Sequence, residues 1–188
     1  MLTQAQGNKL LKLARNSIKT WFEKKQLNFS QDKKEFSQNQ GVFVTLTLYG
    51  DLRGCIGFPY PTSPLAEAVF EAARSAAFSD PRFKSITEQE FKKVKIEISV
   101  LSVPEKINAV GNQIPGKIKI GQDGLIIQFS GFSGLLLPQV ATEYKWNTLQ
   151  FLEAICQKAG LPSNSWLNPN CQLFKFQAQI FKEKSKKK

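Results

Sequence analysis

The residues that could do chemistry are concentrated in Leu52–Gly57, which reads Leu-Arg-Gly-Cys-Ile-Gly. Residues 42–48 favour a strand and residues 49–51 a turn, so this segment is predicted to be the returning arm of a β-hairpin. Alternate residues of a strand share a face, which would bring Arg53 and Cys55 together. A neighbouring guanidinium favours the thiolate, the nucleophilic form of cysteine. The segment's two glycines leave backbone that another group can approach. The alternative is a tight hairpin with a buried cysteine and an arginine paired with a carboxylate.

The absence of histidine limits the possible reactions. The chain has 188 residues and none is histidine, which excludes Ser-His and Cys-His catalysis and histidine-metal sites. Chemistry would have to use Cys, Lys, Tyr, a carboxylate or a borrowed cofactor. The three cysteines, Cys55, Cys156 and Cys171, form no CxxC pair, so neither a disulfide framework nor a metal site is expected. No P-loop and no GxGxxG pattern is present, and no cofactor is predicted.

The chain is strongly basic, with a formal net charge of +11. A basic protein attracts polyanions such as nucleic acid, and the alternative is that the charge serves solubility alone. Residues 184–188 are predicted to be a disordered lysine tail. No apolar run reaches the roughly 18 residues of a membrane span, and no secretory signal is evident. We therefore expect a cytoplasmic protein without a membrane partner.

The first half of the chain predicts helices packed on a hairpin and a further strand. Apolar residues recur at helical spacing over about residues 4–24, after a capping box that begins at Thr3. Residues 26–40 are polar and are predicted to be an exposed loop. Ser63 is predicted to cap a helix that ends before Pro81, and Thr87 begins a second capping box. Residues 94–101 alternate as a half-buried strand.

The second half has shorter strands and more glycines. Residues 117–120 and 125–129 are predicted to form a hairpin around Gly121–Gly124, with a third strand over residues 135–140. Asn147 is predicted to cap a helix that buries Cys156, and alternating residues 174–180 predict a final strand. Strands mixed with helices, and hairpins where strands adjoin, indicate an α+β fold with mainly antiparallel sheets. We predict a larger lobe of residues 1–106 and 171–183 and a smaller lobe of residues 107–170.

Several motifs in this order resemble the AMMECR domain family, and the resemblance covers roughly residues 5–183. The block Leu52–Gly57 is the family's signature and is highly specific, so it is called the signature strand below. The resemblance implies a two-lobed α+β fold with a cleft between the lobes. The motifs that carry it are Gly41–Leu46, Leu52–Gly57, Ala76–Phe83, Ile98–Leu101, Gly121–Leu125, Leu136–Val140 and Lys158–Leu161.

The resemblance implies residues for the cleft but no established reaction. The positions that would line it are Arg53, Gly54, Cys55, Gly57, Asp80, Arg82, Pro138 and Gln139. Relatives in archaea are associated with Memo-like and radical-SAM proteins, which implies partners of those classes. An interaction with RNA or a nucleotide is suggested for the fold by analogy.

Three functions are compatible with these residues. We favour an accessory or binding protein that recognises RNA, a nucleotide or an acidic partner at the cleft. The alternative is an enzyme or enzyme subunit that uses Cys55 as an activated thiol, within a radical-SAM-associated modification pathway. A third hypothesis is an interaction or scaffold protein in which the signature strand serves the architecture of the cleft or the docking of a partner.

Overall fold

In the computed structural model the described residues are 2–184, so residues 185–188 of the predicted lysine tail lie outside them. Their contacts divide the chain into two compact units. The first contains the described residues up to Leu101 and those from Gln179 onward, and the second contains Ser102–Ala178. Both units mix helices with antiparallel strands, so the predicted α+β class is confirmed.

The first unit packs helices on an antiparallel sheet. Its strand order is β2-β1-β3-β7, in which β7 (Gln172–Lys182) contributes its last residues. Helices α1 and α3 place their apolar faces in the core, which includes Leu10, Ala14, Val69 and Ile98. The elements are α1 (Gln4–Phe22), α2 (Ser30–Glu35), β1 (Val42–Leu48), β2 (Asp51–Phe58), α3 (Leu65–Phe78), α4 (Glu88–Phe91) and β3 (Lys95–Leu101).

The capping predictions for this unit are confirmed at two helices and wrong at a third. Thr3 and Thr87 both form complete capping boxes, at α1 and α4. Ser63 does not cap α3, because that helix begins one residue later and has Pro64 at its N-cap without a side-chain hydrogen bond. Residues 26–40 also contain more structure than predicted, since α2 lies within them.

Strands β1 and β2 form the predicted hairpin, and it contains an irregularity that the sequence does not reveal. Tyr49 and Gly50 connect the strands, and both have positive φ, at 57° and 101°. The register shifts between Leu46 and Thr47, so that Leu46 pairs with Gly54 and Thr47 pairs with Leu52. Arg53 is therefore the extra residue of a β-bulge. A bulge interrupts the alternation of side chains, which removes the basis for placing Arg53 and Cys55 on one face.

The second unit has a separate core around α6, where Phe151, Leu152 and Ile155 are fully buried. Strand β5 pairs with β6 on one side and with β7 on the other, and β4 also pairs with β7. Cys156 is buried in this core as predicted, and Asn147 caps α6 with a complete capping box. The elements are β4 (Glu105–Lys106), β5 (Asp123–Phe129), β6 (Phe132–Leu136), α5 (Pro138–Glu143), α6 (Thr148–Lys158) and β7 (Gln172–Lys182).

The predicted hairpin around Gly121–Gly124 is wrong. The carboxylate of Asp123 accepts a hydrogen bond from the backbone N–H of Lys119 at 2.9 Å, and the Asp123 backbone N–H donates to the Lys119 carbonyl. These bonds close a turn where a strand was expected, and the hairpin turn lies instead at Ser130 and Gly131, which have positive φ. The strand predicted over residues 135–140 also ends early, because Pro138 is the first residue of α5.

Within residues 2–184, no helix combines the length and the apolar character that a membrane crossing requires.

Candidate functional site

A buried carboxylate connects the signature strand with the segment after α3. Asp80 follows the C-cap residue of α3, and its side chain is only 2% exposed. It accepts hydrogen bonds from the backbone N–H of Cys55 at 2.8 Å and from that of Arg82 at 3.1 Å. Two backbone donors and a cation make the buried charge tolerable, because burial of an unpaired carboxylate would be very unfavourable.

The cation that completes this arrangement is Arg82. Its Nε and Nη2 donate to the two oxygens of Asp80 at 2.9 and 2.7 Å, and Nη2 also donates to the carbonyl of Cys55 at 3.1 Å. These bonds from Arg82, helped by the backbone N–H groups of Cys55 and Arg82, hold the pKa of Asp80 well below its usual range. The Arg82 side chain is still 52% exposed, so one end of the guanidinium is fixed and the rest meets solvent.

The cation beside the Cys55 thiol is Arg82 and not Arg53. Hydrogen bonds with Asp80 raise the pKa of Arg82, and Arg82 Nη2 also donates to the backbone carbonyl of Cys55. The Sγ atom also accepts a hydrogen bond at 3.2 Å from the hydroxyl of Thr45, which lies opposite Cys55 on β1. Cys55 is half-buried, and the Thr45 hydroxyl is the donor directed at its sulfur.

Arg53 is occupied by another partner. Its Nε and Nη2 donate to the carboxylate of Glu90 at 2.9 and 3.3 Å, and Nη1 donates to the carbonyl of Lys84 at 2.8 Å. The hydrogen bonds from Arg53 lower the pKa of Glu90 from its ordinary value of 4.5 to about 2. With its side chain only 16% exposed, Arg53 ties the bulge of β2 to α4. The predicted pairing with Cys55 is therefore replaced by an ion pair with Glu90.

The two glycines of the signature strand are explained by packing inside the first unit. A Cβ atom on Gly54 would lie 2.1 Å from the carbonyl oxygen of Ala76, so α3 can approach β2 only where a side chain is missing. A Cβ atom on Gly57 would lie 2.2 Å from the carbonyl oxygen of Val42. The close approach predicted for these positions is made by the protein's own backbone.

The remaining predicted residues belong to the second unit. Pro138 is buried at the start of α5, and Gln139 follows it. Gln139 Oε1 is buried and accepts no hydrogen bond from any residue of the described chain. The structure thus brings Cys55, Asp80 and Arg82 into direct contact. Pro138 and Gln139 lie in the second unit.

Sequence reasoning missed three contributors to this site. Glu90 was recognised only as part of a capping box, where it bonds the Thr87 backbone N–H, and its second role toward Arg53 has no local signal. Thr45 could have been found from the hairpin register if the bulge had been known. Phe83 lies under both guanidiniums, with its ring centre 5.9 Å from Arg53 Cζ and 5.4 Å from Arg82 Cζ. Over residues 2–184, no group of acidic or cysteine side chains is arranged to hold a metal ion.

The chain is similar to one protein family, to archaeal proteins and to a solved structure. The AMMECR1 family model matches residues 11–181. A protein of Methanosarcina barkeri is 43% identical, with 98% of this chain and 93% of the relative covered. A protein of Methanopyrus kandleri is 44% identical, with 97% and 90% covered. The crystal structure of an uncharacterised protein from Pyrococcus horikoshii matches with a TM-score of 0.91 at 42% identity, covering 97% of this chain and 94% of that one.

Proposed function

The chain belongs to the AMMECR1 family. We propose that it is an accessory or binding protein that recognises an anionic ligand through Arg82. The ligand classes are those that the sequence favours: RNA, a nucleotide or an acidic partner. Partners of the Memo-like and radical-SAM classes and a cytoplasmic location remain predictions from the sequence.

One observation carries the proposal: a half-exposed guanidinium is held in place by a buried carboxylate. Asp80 fixes the Nε and Nη2 atoms of Arg82, whereas Nη1 donates no hydrogen bond within residues 2–184. The exposed part of the side chain therefore needs little further ordering when it binds an acceptor, and a preorganised donor loses less conformational entropy than a free one. Guanidinium groups suit planar acceptors such as phosphate and carboxylate.

Each arginine at the site is paired with a carboxylate, so the long-range attraction of an anion comes from the net charge of the whole chain. Arg82 is paired with Asp80, and Arg53 is paired with Glu90. The net charge of +11 supplies a general field that attracts anions, and the Arg82 donor then adds a directed hydrogen bond. This division predicts that salt weakens binding of every anion, whereas substitution of Arg82 weakens it at this site specifically.

The proposal is tested by titrating the protein with AMP and ATP by calorimetry and comparing Arg82→Ala with Lys34→Ala. Both variants lose one positive charge, and Lys34 is an exposed residue of α2. We expect at least about tenfold weaker binding for Arg82→Ala, because a hydrogen bond to a charged group contributes roughly 1.5–3 kcal/mol. Equal affinities of the two folded variants would refute recognition by Arg82.

Thiol chemistry at Cys55 is the second candidate function, and the hydrogen bond from Thr45 favours it. The Thr45 hydroxyl donates a hydrogen bond to Sγ at 3.2 Å, and Arg82, which donates to the Cys55 carbonyl, is the nearby cation. If the thiol is the functional group, Arg82→Lys and Thr45→Val will slow alkylation of Cys55 by iodoacetamide at neutral pH. An unchanged alkylation rate in both variants would exclude this candidate.

A further inference from the structure

The first unit contains a basic groove that is separate from Arg82 and Cys55. It lies where α1, the segment between α4 and β3, and the end of β7 meet, and its volume is about 710 Å³. We call this cavity the basic groove. Its charged lining consists of one arginine, one carboxylate and six lysines, namely Arg15, Glu183, Lys12, Lys92, Lys93, Lys95, Lys182 and Lys184.

The lining of the basic groove includes one ion pair, between Arg15 and Glu183. Arg15 pairs with Glu183 and also donates to the backbone carbonyls of Phe91 and Val94 at 2.9 and 2.8 Å. Glu183 in turn accepts a hydrogen bond from the backbone N–H of Ile96 at 3.0 Å. Among residues 2–184, Glu183 is the one carboxylate in the lining, and because it pairs with Arg15 it does not neutralise the lysines around it.

Several lysines on the walls have no acidic partner. Lys92 and Lys182 pair with Glu88 and Glu97. Within residues 2–184, Lys12, Lys93 and Lys95 form no ion pair with a carboxylate. A concave surface that gathers unpaired cations concentrates the positive potential, and a polyanion is the ligand that matches it.

An exposed aromatic ring contacts one of these lysines, Lys93. Tyr49 is 78% exposed, and Lys93 Nζ lies 5.6 Å from the centre of its ring. A hydrogen bond with Tyr49 also raises the pKa of Lys93. Tyr49 has a φ of 57° at a hairpin position where Asn, Asp or Gly is favoured. The chain therefore keeps a large ring in solvent at a position where its backbone conformation is unfavourable.

We infer that the basic groove binds single-stranded nucleic acid, with Lys12, Lys93 and Lys95 on its phosphates and Tyr49 stacked on a base. An aromatic ring next to unpaired lysines is the arrangement by which proteins bind single strands without reading a sequence. A paired base could not offer its face to the ring, and an acidic peptide would use the lysines but has no need of the ring. The groove uses residues other than Arg82, so this inference goes beyond the proposed function and can fail independently of it.

The test measures binding of fluorescent twelve-residue oligouridylate and oligothymidylate by anisotropy over a salt series. Lys12→Gln/Lys93→Gln is compared with Lys34→Gln/Lys158→Gln, because each double variant removes two exposed lysines and changes the net charge equally. We expect the groove variant to lower the slope of log K against log salt by about 1.4, at roughly 0.7 per phosphate contact. The control variant is expected to keep most of the wild-type slope.

Tyrosine variants separate stacking from charge. Tyr49→Ala is expected to weaken binding about tenfold, as removal of one stacking ring does elsewhere, whereas Tyr144→Ala, at another exposed tyrosine, should have no effect.

Equal effects of the two lysine pairs would overturn the inference, as would loss of all binding in a chain with Lys186, Lys187 and Lys188 changed to serine. If polyaspartate bound as tightly as oligouridylate and Tyr49→Ala left both affinities unchanged, the inference would be overturned in favour of an acidic partner. Weaker oligouridylate binding in Arg82→Ala, with the groove variants unchanged, would overturn the inference and support only the proposed function.

Discussion

Asp80 accepts a hydrogen bond from the backbone N–H of Cys55 at 2.8 Å, which joins the end of helix α3 to the middle of the signature strand. The same buried carboxylate holds the guanidinium of Arg82, whose Nη2 reaches the Cys55 carbonyl. Residues that are 25 positions apart in sequence thereby form one unit. The signature strand is positioned by Asp80, and Arg82 is the residue that this arrangement presents to solvent.

Asp80→Asn should therefore destabilise the fold as well as release Arg82. An asparagine cannot accept the bonds now made by two backbone N–H groups and a guanidinium without turning its own NH₂ group toward donors. We expect the free energy of unfolding in urea to fall by about 2 kcal/mol. Asp51→Asn, at an exposed carboxylate of the same hairpin, is the control. A variant as stable as that control would mean that Asp80 does not organise the site.

The lowered pKa of Glu90 predicts how stability depends on pH. The hydrogen bonds from Arg53 lower this pKa from 4.5 to about 2 in the folded protein. A carboxyl group with a lowered folded pKa stabilises the protein above its unfolded pKa, and this stability is lost as pH falls toward the folded value. Between pH 4.5 and 2, wild type should lose stability faster than Glu90→Gln in urea titrations. Parallel curves would contradict the ion pair, and Glu88→Gln serves as an exposed control from the same helix.

Gly54→Ala is predicted to disrupt the contact between α3 and β2. The new Cβ would lie 2.1 Å from the Ala76 carbonyl oxygen, and backbone cannot move aside without shifting the helix. We expect a loss of about 3 kcal/mol or more, as for severe overpacking. Gly116→Ala is the matched control, since a Cβ at that position meets nothing within 4 Å. If both variants were equally stable, Gly54 would not be explained by helix packing.

Tyr49→Asn is predicted to have opposite effects on stability and binding. Asparagine adopts positive φ more readily than tyrosine, and the Asn-Gly sequence suits this two-residue turn. The thermal midpoint should rise, corresponding to about 1 kcal/mol of relieved strain, while oligouridylate affinity falls. Differential scanning calorimetry and anisotropy on the same sample would check both parts. Weaker binding with a lower thermal midpoint would instead indicate that Tyr49 supports the hairpin.

The sequence predicts those parts of the fold that depend on local chemistry. The capping boxes at Thr3, Thr87 and Asn147 satisfy backbone donors within one turn, so their residues alone identify them. The hairpin around Gly121–Gly124 failed because the Asp123 carboxylate bonds the Lys119 N–H and competes with strand formation. The two residues are only four positions apart, but whether they form a turn or a strand depends on how the following strand, β5, pairs.

The candidate site could be predicted as a set of residues but not as a set of contacts. Cys55, Asp80 and Arg82 were all identified, and they do meet. The partner of each arginine was not predictable. The prediction that Arg53 lies beside Cys55 depends on regular alternation of side chains along the strand, and the bulge at Arg53 interrupts that alternation. The tie between Arg53 and Glu90 spans 37 positions and leaves no local pattern.

Recognition by Arg82 is tested most directly by nuclear magnetic resonance during titration with AMP. The backbone amides of Cys55 and Arg82 both donate to Asp80, so they report any change at the guanidinium that this carboxylate holds. The account predicts saturable shifts that are largest at Cys55, Arg82 and Phe83 and that disappear in Arg82→Ala. Saturable shifts located elsewhere, with these three amides unmoved at full occupancy, would contradict it.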